Sequence, residues 1–323
     1  MSRHLLLWLV FALAAVSSAA LSSAALADPP GQIAGGKAST TVPFLLVQNH
    51  ILVSVSVNGK GPFLFLLDTG AESNALDTTL VRSLNLKTKG EVQINGTGPQ
   101  SVPAAQTENS TVQVGDATIP DQNFITYDFS DLRKLSSTAV VGALGRDVFR
   151  DFVVKIDYGT SNLVLTLPSQ FVYQGTGTVL PLSFSQHHIP QIDGDMDGFK
   201  GKFNIDTGYN NPLLLYAPFV QKNSLRAKYA ARSQASDFVG AGGSAKTQII
   251  PALPFRFGGF SLTVGVGMLE ESGGATSRQD AAGQIGNQLL SYFNPTFDYS
   301  HNRVIFEQPS HPAQSAPAQA TVK

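Results

Sequence analysis

The sequence predicts a mainly β protein built of two duplicated lobes. Three observations predict it. First, the 323 residues hold 30 Gly and 18 Pro with only 14% charged residues, and long helical patterns are rare, a mix that favours strands and turns. Second, Phe65-Leu66-Leu67-Asp68-Thr69-Gly70 recurs as Phe203-Asn204-Ile205-Asp206-Thr207-Gly208. Third, the landmarks around each copy keep their order and spacing. His50-Ile51 precedes Asp68 by 18 residues, and His188-Ile189 precedes Asp206 by 18. Gly145 lies 77 residues after Asp68 and Gly286 lies 80 after Asp206; each glycine is followed after 12 residues by Asp-Tyr.

The elements follow in chain order. Residues 1–27 have the parts of an export signal: Arg3 and His4, an apolar core from Leu5 to Val16, and a small-residue run ending Ala25-Leu26-Ala27. Its serines make it a poor permanent anchor, so the expected mature chain begins at Asp28, is periplasmic or secreted, and has no stable membrane insertion. Residues 28–37 read as a loose leader, 38–168 as the first lobe, 169–177 as a linker, 178–308 as the second lobe and 309–323 as a disordered tail too polar to bury a core. In the first lobe Ile51, Val53, Val55 and Val57 alternate with Leu52, Ser54 and Ser56, the period of a half-buried strand. Asn58 to Pro62 reads as a tight turn and Phe63 to Leu67 as a strand buried on both faces. Short helices are expected over 77–86 and 217–225, at similar intervals after each Asp-Thr-Gly.

Composition narrows the chemistry. A net charge of −1 without a basic run argues against a nucleic-acid partner. The absence of cysteine excludes disulfides, zinc-thiolate sites, a cysteine nucleophile and a lipidated cysteine anchor. What stands out is an aspartate placed twice at the end of an apolar strand, where a charge is costly unless paired or hydrogen-bonded. If the lobes pack about a pseudo-two-fold axis, Asp68 and Asp206 meet. Two carboxylates that close cannot both ionise, so they share one proton. The ionised one can take a proton from water while the protonated one donates to a carbonyl. Gly70 and Gly208 let the backbone turn and its amides approach, and Thr69 and Thr207 supply bracing hydroxyls. Neither a metal nor a cofactor is required.

These residues resemble the retropepsin-like aspartic proteases, in particular bacterial exported members with two Asp-Thr-Gly units in one chain. The resemblance runs over about residues 41–308 and rests on Asn58 to Phe63 leading to Leu67-Asp68-Thr69-Gly70-Ala71, and on Val140 to Gly145 and Gly283 to Gly286 as apolar-Gly elements beside the catalytic loops. It implies a two-lobed retropepsin- or pepsin-like fold with pseudo-two-fold symmetry and the cleft between the lobes, and an aspartic endopeptidase with a peptide or protein substrate, catalytic Asp68 and Asp206, Thr69 and Thr207 gripping each other's loops, Gly145 and Gly286 supporting them, and a single chain sufficient as a monomer. It also implies β-hairpin flaps over the cleft, for which Gly96 and Gly98 in the first lobe and Gly240 and Gly242 in the second are candidates. Ala71 and Tyr209 depart from the pattern of relatives that place Ser or Thr three residues after the aspartate. Ala71 cannot donate to the carboxylate, which predicts a weakly acidic to near-neutral optimum. The bulky Tyr209 favours the alternative reading, a non-catalytic module that binds a peptide or envelope polymer. Glu72 reads as a solvated charge or a rim residue that selects basic substrates.

Other patterns are set aside. Asp193 to Gly198 opens like a calcium loop, but its twelfth position is Asn204 where a bidentate Glu is needed. His187-His188 lacks partners at metal spacing and reads as a surface turn. Asp157 and Asp298 read as strand-end turn residues. There is no Gly-x-Ser-x-Gly elbow and no phosphate loop.

Overall fold

The computed structural model describes residues 31–309 apart from 97, 99, 131–138 and 272. The export signal of residues 1–27 and the tail beyond Pro309 therefore lie outside the described residues.

The alternation at Ile51 to Val57 forms the strand His50–Val57, with all four odd-numbered side chains essentially fully buried. Its Asn58-Gly59 turn has both residues at positive φ, as a two-residue hairpin needs, and leads into Lys60–Leu67. That second strand differs from expectation. Phe65 and Leu67 are buried, but Leu64 and Leu66 are only partly so, and Leu66 lines the cleft instead of core. The first-lobe sheet then runs, in spatial order, His50–Val57, Lys60–Leu67, Val140–Leu144, Ala75–Asp77, Ile125–Tyr127, Ser101–Thr107 and Thr88–Asn95. The second-lobe sheet runs Pro190–Met196, Phe199–Ile205, Gly283–Ile285, Leu213–Leu215, Phe260–Leu269, Gly243–Phe257 and Gln234–Gly240, the same order strand for strand. The expected helices are present as Thr78–Ser83 and Ala217–Lys222, each just after the short strand that follows its Asp-Thr-Gly. Asp77 caps the first by accepting from the Thr79 amide.

The lobes meet in shared β structure. Thr178–Pro181, Arg303–Glu307 and Asn294–Asp298 pair in series and join Val153–Asp157, Asn162–Thr166 and Ser39–Val47. The junction is the pairing of Val154 with Phe297 and Lys155 with Thr296. Across it Phe149 stacks on Tyr299 and meets Phe297 edge-on, and Phe184 meets Tyr299 edge-on. The core is continuous from one lobe to the other.

One expectation of looseness is corrected. Within the leader, Gln32–Ile33 pairs with Ala117–Thr118, Ile33 is buried, and Lys37 bonds Asp116 at 2.8 Å. One large apolar side chain and an open strand edge suffice to order it. The linker is tied as well: the Tyr173 hydroxyl accepts from the Gly177 amide at 2.6 Å and donates to Glu307. The calcium-like stretch is a hairpin, with Asp195 accepting from the Gly198 amide and Asp197 bonded to Lys228 and Tyr229. Asp157 and Asp298 sit in turns, accepting from the Thr160 and His301 amides. No helix among the described residues is long and apolar enough to cross a membrane.

Candidate active site

Each Asp-Thr-Gly leaves its strand beside a parallel neighbour. The Asp68 amide donates to Leu144 O and the Asp206 amide to Ile285 O, both at 2.9 Å. Each loop then turns back on its own carboxylate: Gly70 N–H donates to Asp68 Oδ1 at 2.8 Å, and Gly208 N–H to Asp206 Oδ1 at 2.9 Å. The threonines lock the loops together. Thr69 Oγ1 donates to Ile205 O at 2.7 Å and accepts from the Thr207 amide at 2.9 Å. Thr207 Oγ1 donates to Leu67 O at 2.8 Å and accepts from the Thr69 amide at 2.9 Å. Both side chains are buried, so water does not compete for these bonds.

The lock brings the carboxylates into hydrogen-bonding contact. Glycine is needed on each loop: a Cβ on Gly70 would stand 2.6 Å from Asp206 Cγ, and one on Gly208 would stand 2.5 Å from Asp68 Cγ. Burial holds the Asp68 carboxyl above its ordinary range, opposed by amides of its own loop. Asp206 is held well above it by burial and then by the charge of Asp68. The pair thus keeps a proton at pH values where a lone aspartate has lost it, and it titrates as a unit.

Gly145 and Gly286 hold the loops from behind. Gly145 N–H donates to Asn74 Oδ1 at 2.8 Å, and Gly286 N–H donates to Pro212 O. A Cβ on Gly145 would meet Ser73 O at 2.3 Å, and one on Gly286 would meet Asn211 O at 2.2 Å. Asn287 adds a brace in the second lobe only: its Nδ2 donates to Thr207 O at 2.6 Å and its Oδ1 accepts from Tyr158 OH at 2.6 Å.

Above the dyad lies a cleft of about 1260 Å³ lined by both lobes. The hairpins Thr88–Asn95/Ser101–Thr107 and Gln234–Gly240/Gly243–Phe257 cover it. Their tips touch: Gly98 N–H donates to Ala241 O at 2.8 Å and Gln100 N–H to Gly242 O at 3.0 Å. A nearby turn joins them, with Ala275 N–H donating to Gly96 O at 2.8 Å. Of the sequence-predicted residues, Asp68, Asp206, Gly70, Gly208, Ala71, Tyr209, Gly96 and Gly240 line the cleft. Gly98 and Gly242 instead make the contact between tips, while Thr69, Thr207, Gly145 and Gly286 act below the floor.

Tyr209 contributes to the dyad through its amide, which donates to Asp206 Oδ1 at 3.2 Å, while its ring lies 6.1 Å from Phe238. Glu72 is a rim residue, paired with His187 at 2.7 Å and Arg278 at 3.1 Å. Sequence reasoning passed over Asn287, Arg278 and the polar side chains Asn204, Tyr216 and Gln284 in the second-lobe wall. The available signal was the replacement of Leu66 and Ala143 by Asn204 and Gln284 at matching places of the repeat. Among the described residues no cluster of His, Asp or Glu is arranged to hold a metal.

The aspartyl protease family model matches residues 53–148, which span the first Asp-Thr-Gly loop and the first apolar-Gly element. No curated protein matches the chain. The crystal structure of an aspartic proteinase from Irpex lacteus superposes with a TM-score of 0.54 at 14% identity, covering 87% of this chain and 100% of that one. That likeness establishes the fold, and the family match falls within the first lobe. Residues 53–148 thus match the aspartyl protease family, and the chain as a whole has the aspartic proteinase fold.

Proposed function

We propose that this chain is an aspartic endopeptidase in which Asp68 and Asp206 activate water against a peptide bond. The observation that carries the reading is the carboxylate pair itself, in contact on loops locked by Thr69 and Thr207 at the floor of a roofed cleft. A water between the carboxylates gives its proton to the ionised member as it attacks the carbonyl carbon. The protonated member donates to the carbonyl oxygen, giving a tetrahedral diol; the member that took the water's proton then passes it to the leaving nitrogen while the other takes one diol proton back, and the C–N bond breaks to release acid and amine. Two like charges brought together without such a role would only destabilise the fold.

The substrate is a polypeptide segment lying extended in the cleft, bound through its backbone beneath the two hairpins. The hairpins act as flaps: their tips separate to admit substrate and close over it to exclude water. Because donors to the dyad are amides and Ala71 has no hydroxyl to add, the activity peaks at weakly acidic to near-neutral pH. The signal read in residues 1–27 supports hydrolysis in an exported compartment.

The test is cleavage of a diverse peptide mixture by the chain from Asp28 onward between about pH 3 and 8, with Asp68→Asn and Asp206→Asn alongside and products mapped by mass spectrometry. The wild type is expected to cut and each variant to lose on the order of 10³-fold or more while remaining folded. Cleavage that survives either substitution overturns the dyad assignment. A wild type that cuts nothing at any pH turns the reading toward a peptide- or polymer-binding module. A maximum below about pH 3 overturns the pH reading, since an ordinary aspartate titrates near 4.

A further inference from the structure

The two walls of the cleft are built from equivalent strands but differ in chemistry. In the first lobe Leu66, two residues before its aspartate, is paired in register with Ala143, two before its glycine. These two join Ala75, Tyr127 and Phe129 in a small apolar cluster separate from the main core, and all five line the cleft. In the second lobe the same two positions are Asn204 and Gln284, again paired in register and again lining the cleft.

The second wall is a relay of hydrogen bonds that runs one way. Gln191 Nε2 donates to Asn204 Oδ1 at 2.9 Å, Asn204 Nδ2 donates to Tyr216 OH at 3.1 Å, and Tyr216 OH donates to Gln284 Oε1 at 2.7 Å. These four side chains are almost completely buried. The relay fixes the Gln284 carboxamide with its oxygen turned to Tyr216 and its NH₂ left over. Gln284 Nε2 has no hydrogen-bond partner. A buried donor without a partner is costly, and here it ends a fully engaged chain in the wall of a ligand cleft.

We propose that the cleft distinguishes the two residues flanking the cut bond: the first-lobe wall takes an apolar side chain, and the second-lobe wall takes one bearing a hydrogen-bond acceptor, which Gln284 Nε2 engages. Carboxamides and hydroxyls fit this description, whereas a purely aliphatic or aromatic side chain would leave the Gln284 donor unpaired. A site built to hydrogen-bond discriminates strongly against an analogue that lacks the group, more strongly than an apolar wall selects by size. The proposal rests on the endopeptidase reading.

The experiment compares cut sites in one peptide mixture for wild type, Gln284→Glu, and the double variant Asn204→Leu/Gln284→Ala, which copies the first-lobe wall into the second. Thermal melting of each confirms folding. Wild type is expected to show an apolar residue on one side of the bond and an acceptor-bearing residue on the other. Gln284→Glu keeps an acceptor for Tyr216 but replaces the NH₂, so preference at that one side moves to Lys, Arg and other donors by about tenfold or more. The double variant moves the same side to apolar residues. Apolar preference on both sides in wild type, or profiles unchanged by Gln284→Glu, overturns the proposal while leaving the protease reading intact. Failure of wild type to cut any peptide overturns both.

Discussion

The two lobes agree in skeleton and disagree in lining. Their sheets run in the same strand order, and each aspartate receives the same amide from its own loop. Yet Leu66 and Ala143 face the cleft where the second lobe presents Asn204 and Gln284, and Tyr209 stands where the first lobe has Ala71. The difference teaches where symmetry is required. The bonds made by the two Asp-Thr-Gly loops themselves are backbone or threonine and are duplicated, while the side-chain braces behind them, Asn74 in the first lobe and Asn287 in the second, are not. What lines the cleft is free to differ, because one chain carries both halves.

The largest break in this comparison comes from the glycines that press on the opposite aspartate. Gly70→Ala and Gly208→Ala each place a methyl where the other lobe's carboxylate stands. Each is expected to lower kcat by about 10²-fold or more, since misplacement by about 1 Å has that effect. Steady-state kinetics on the two variants check it, and equal losses show that the halves of the floor are equivalent.

The threonine lock comes next. Thr69→Val or Thr207→Val keeps side-chain shape but orphans one buried carbonyl and one buried amide across the lobe junction. Urea unfolding is expected to show a loss of about 2–4 kcal/mol for either. A large loss for one and little for the other would mean that the lobes do not share the lock evenly.

A smaller effect sharpens the contrast between the aspartates. Asp206 is held further above the ordinary range than Asp68, so the folded state binds its proton more tightly than the unfolded chain. Its contribution to stability is fully present below the unfolded pKa, near 4, and is lost as pH rises through the folded value. Asp206→Asn removes that loss. Its Tm is expected to exceed that of wild type near pH 7, by about 2–4 °C per kcal/mol released, and to match it below about pH 3. Calorimetry across that range reads the crossover, and a constant offset at all pH values would rule it out.

The smallest expected effect is at the rim, where Glu72 of the first lobe meets His187 and Arg278 of the second. Glu72 is half-exposed, so Glu72→Gln is expected to change stability by less than about 1 kcal/mol, fading as salt is raised. Denaturation at two ionic strengths measures it.

The duplication and both Asp-Thr-Gly loops were legible because the backbone leaves them little choice. A loop that must turn, donate amides and let the opposite carboxylate approach admits few sequences, so the motif is present twice. Both hairpin tips were legible for a related reason, since glycine marks where main chains meet. The second-lobe relay was not legible. Asn204 reads as a flaw in an apolar strand until Gln191, Tyr216 and Gln284 are brought beside it by the folded sheet. Nor did Asn287 stand out, because its two partners, Thr207 and Tyr158, are distant in sequence and its role exists only after the lobes have met. The ordered leader was hidden because a two-residue strand has no period to detect; its order comes from the exposed edge that it covers.

The sheet that joins the lobes has a consequence for how the protein behaves when it is scarce. Val153–Asp157 and Asn294–Asp298 lie side by side on one covalent chain, so the carboxylates meet by folding alone. A site assembled from two separate chains comes apart on dilution, and its specific activity falls with concentration. Here dilution cannot separate the halves, and a single molecule far from any other carries its site whole.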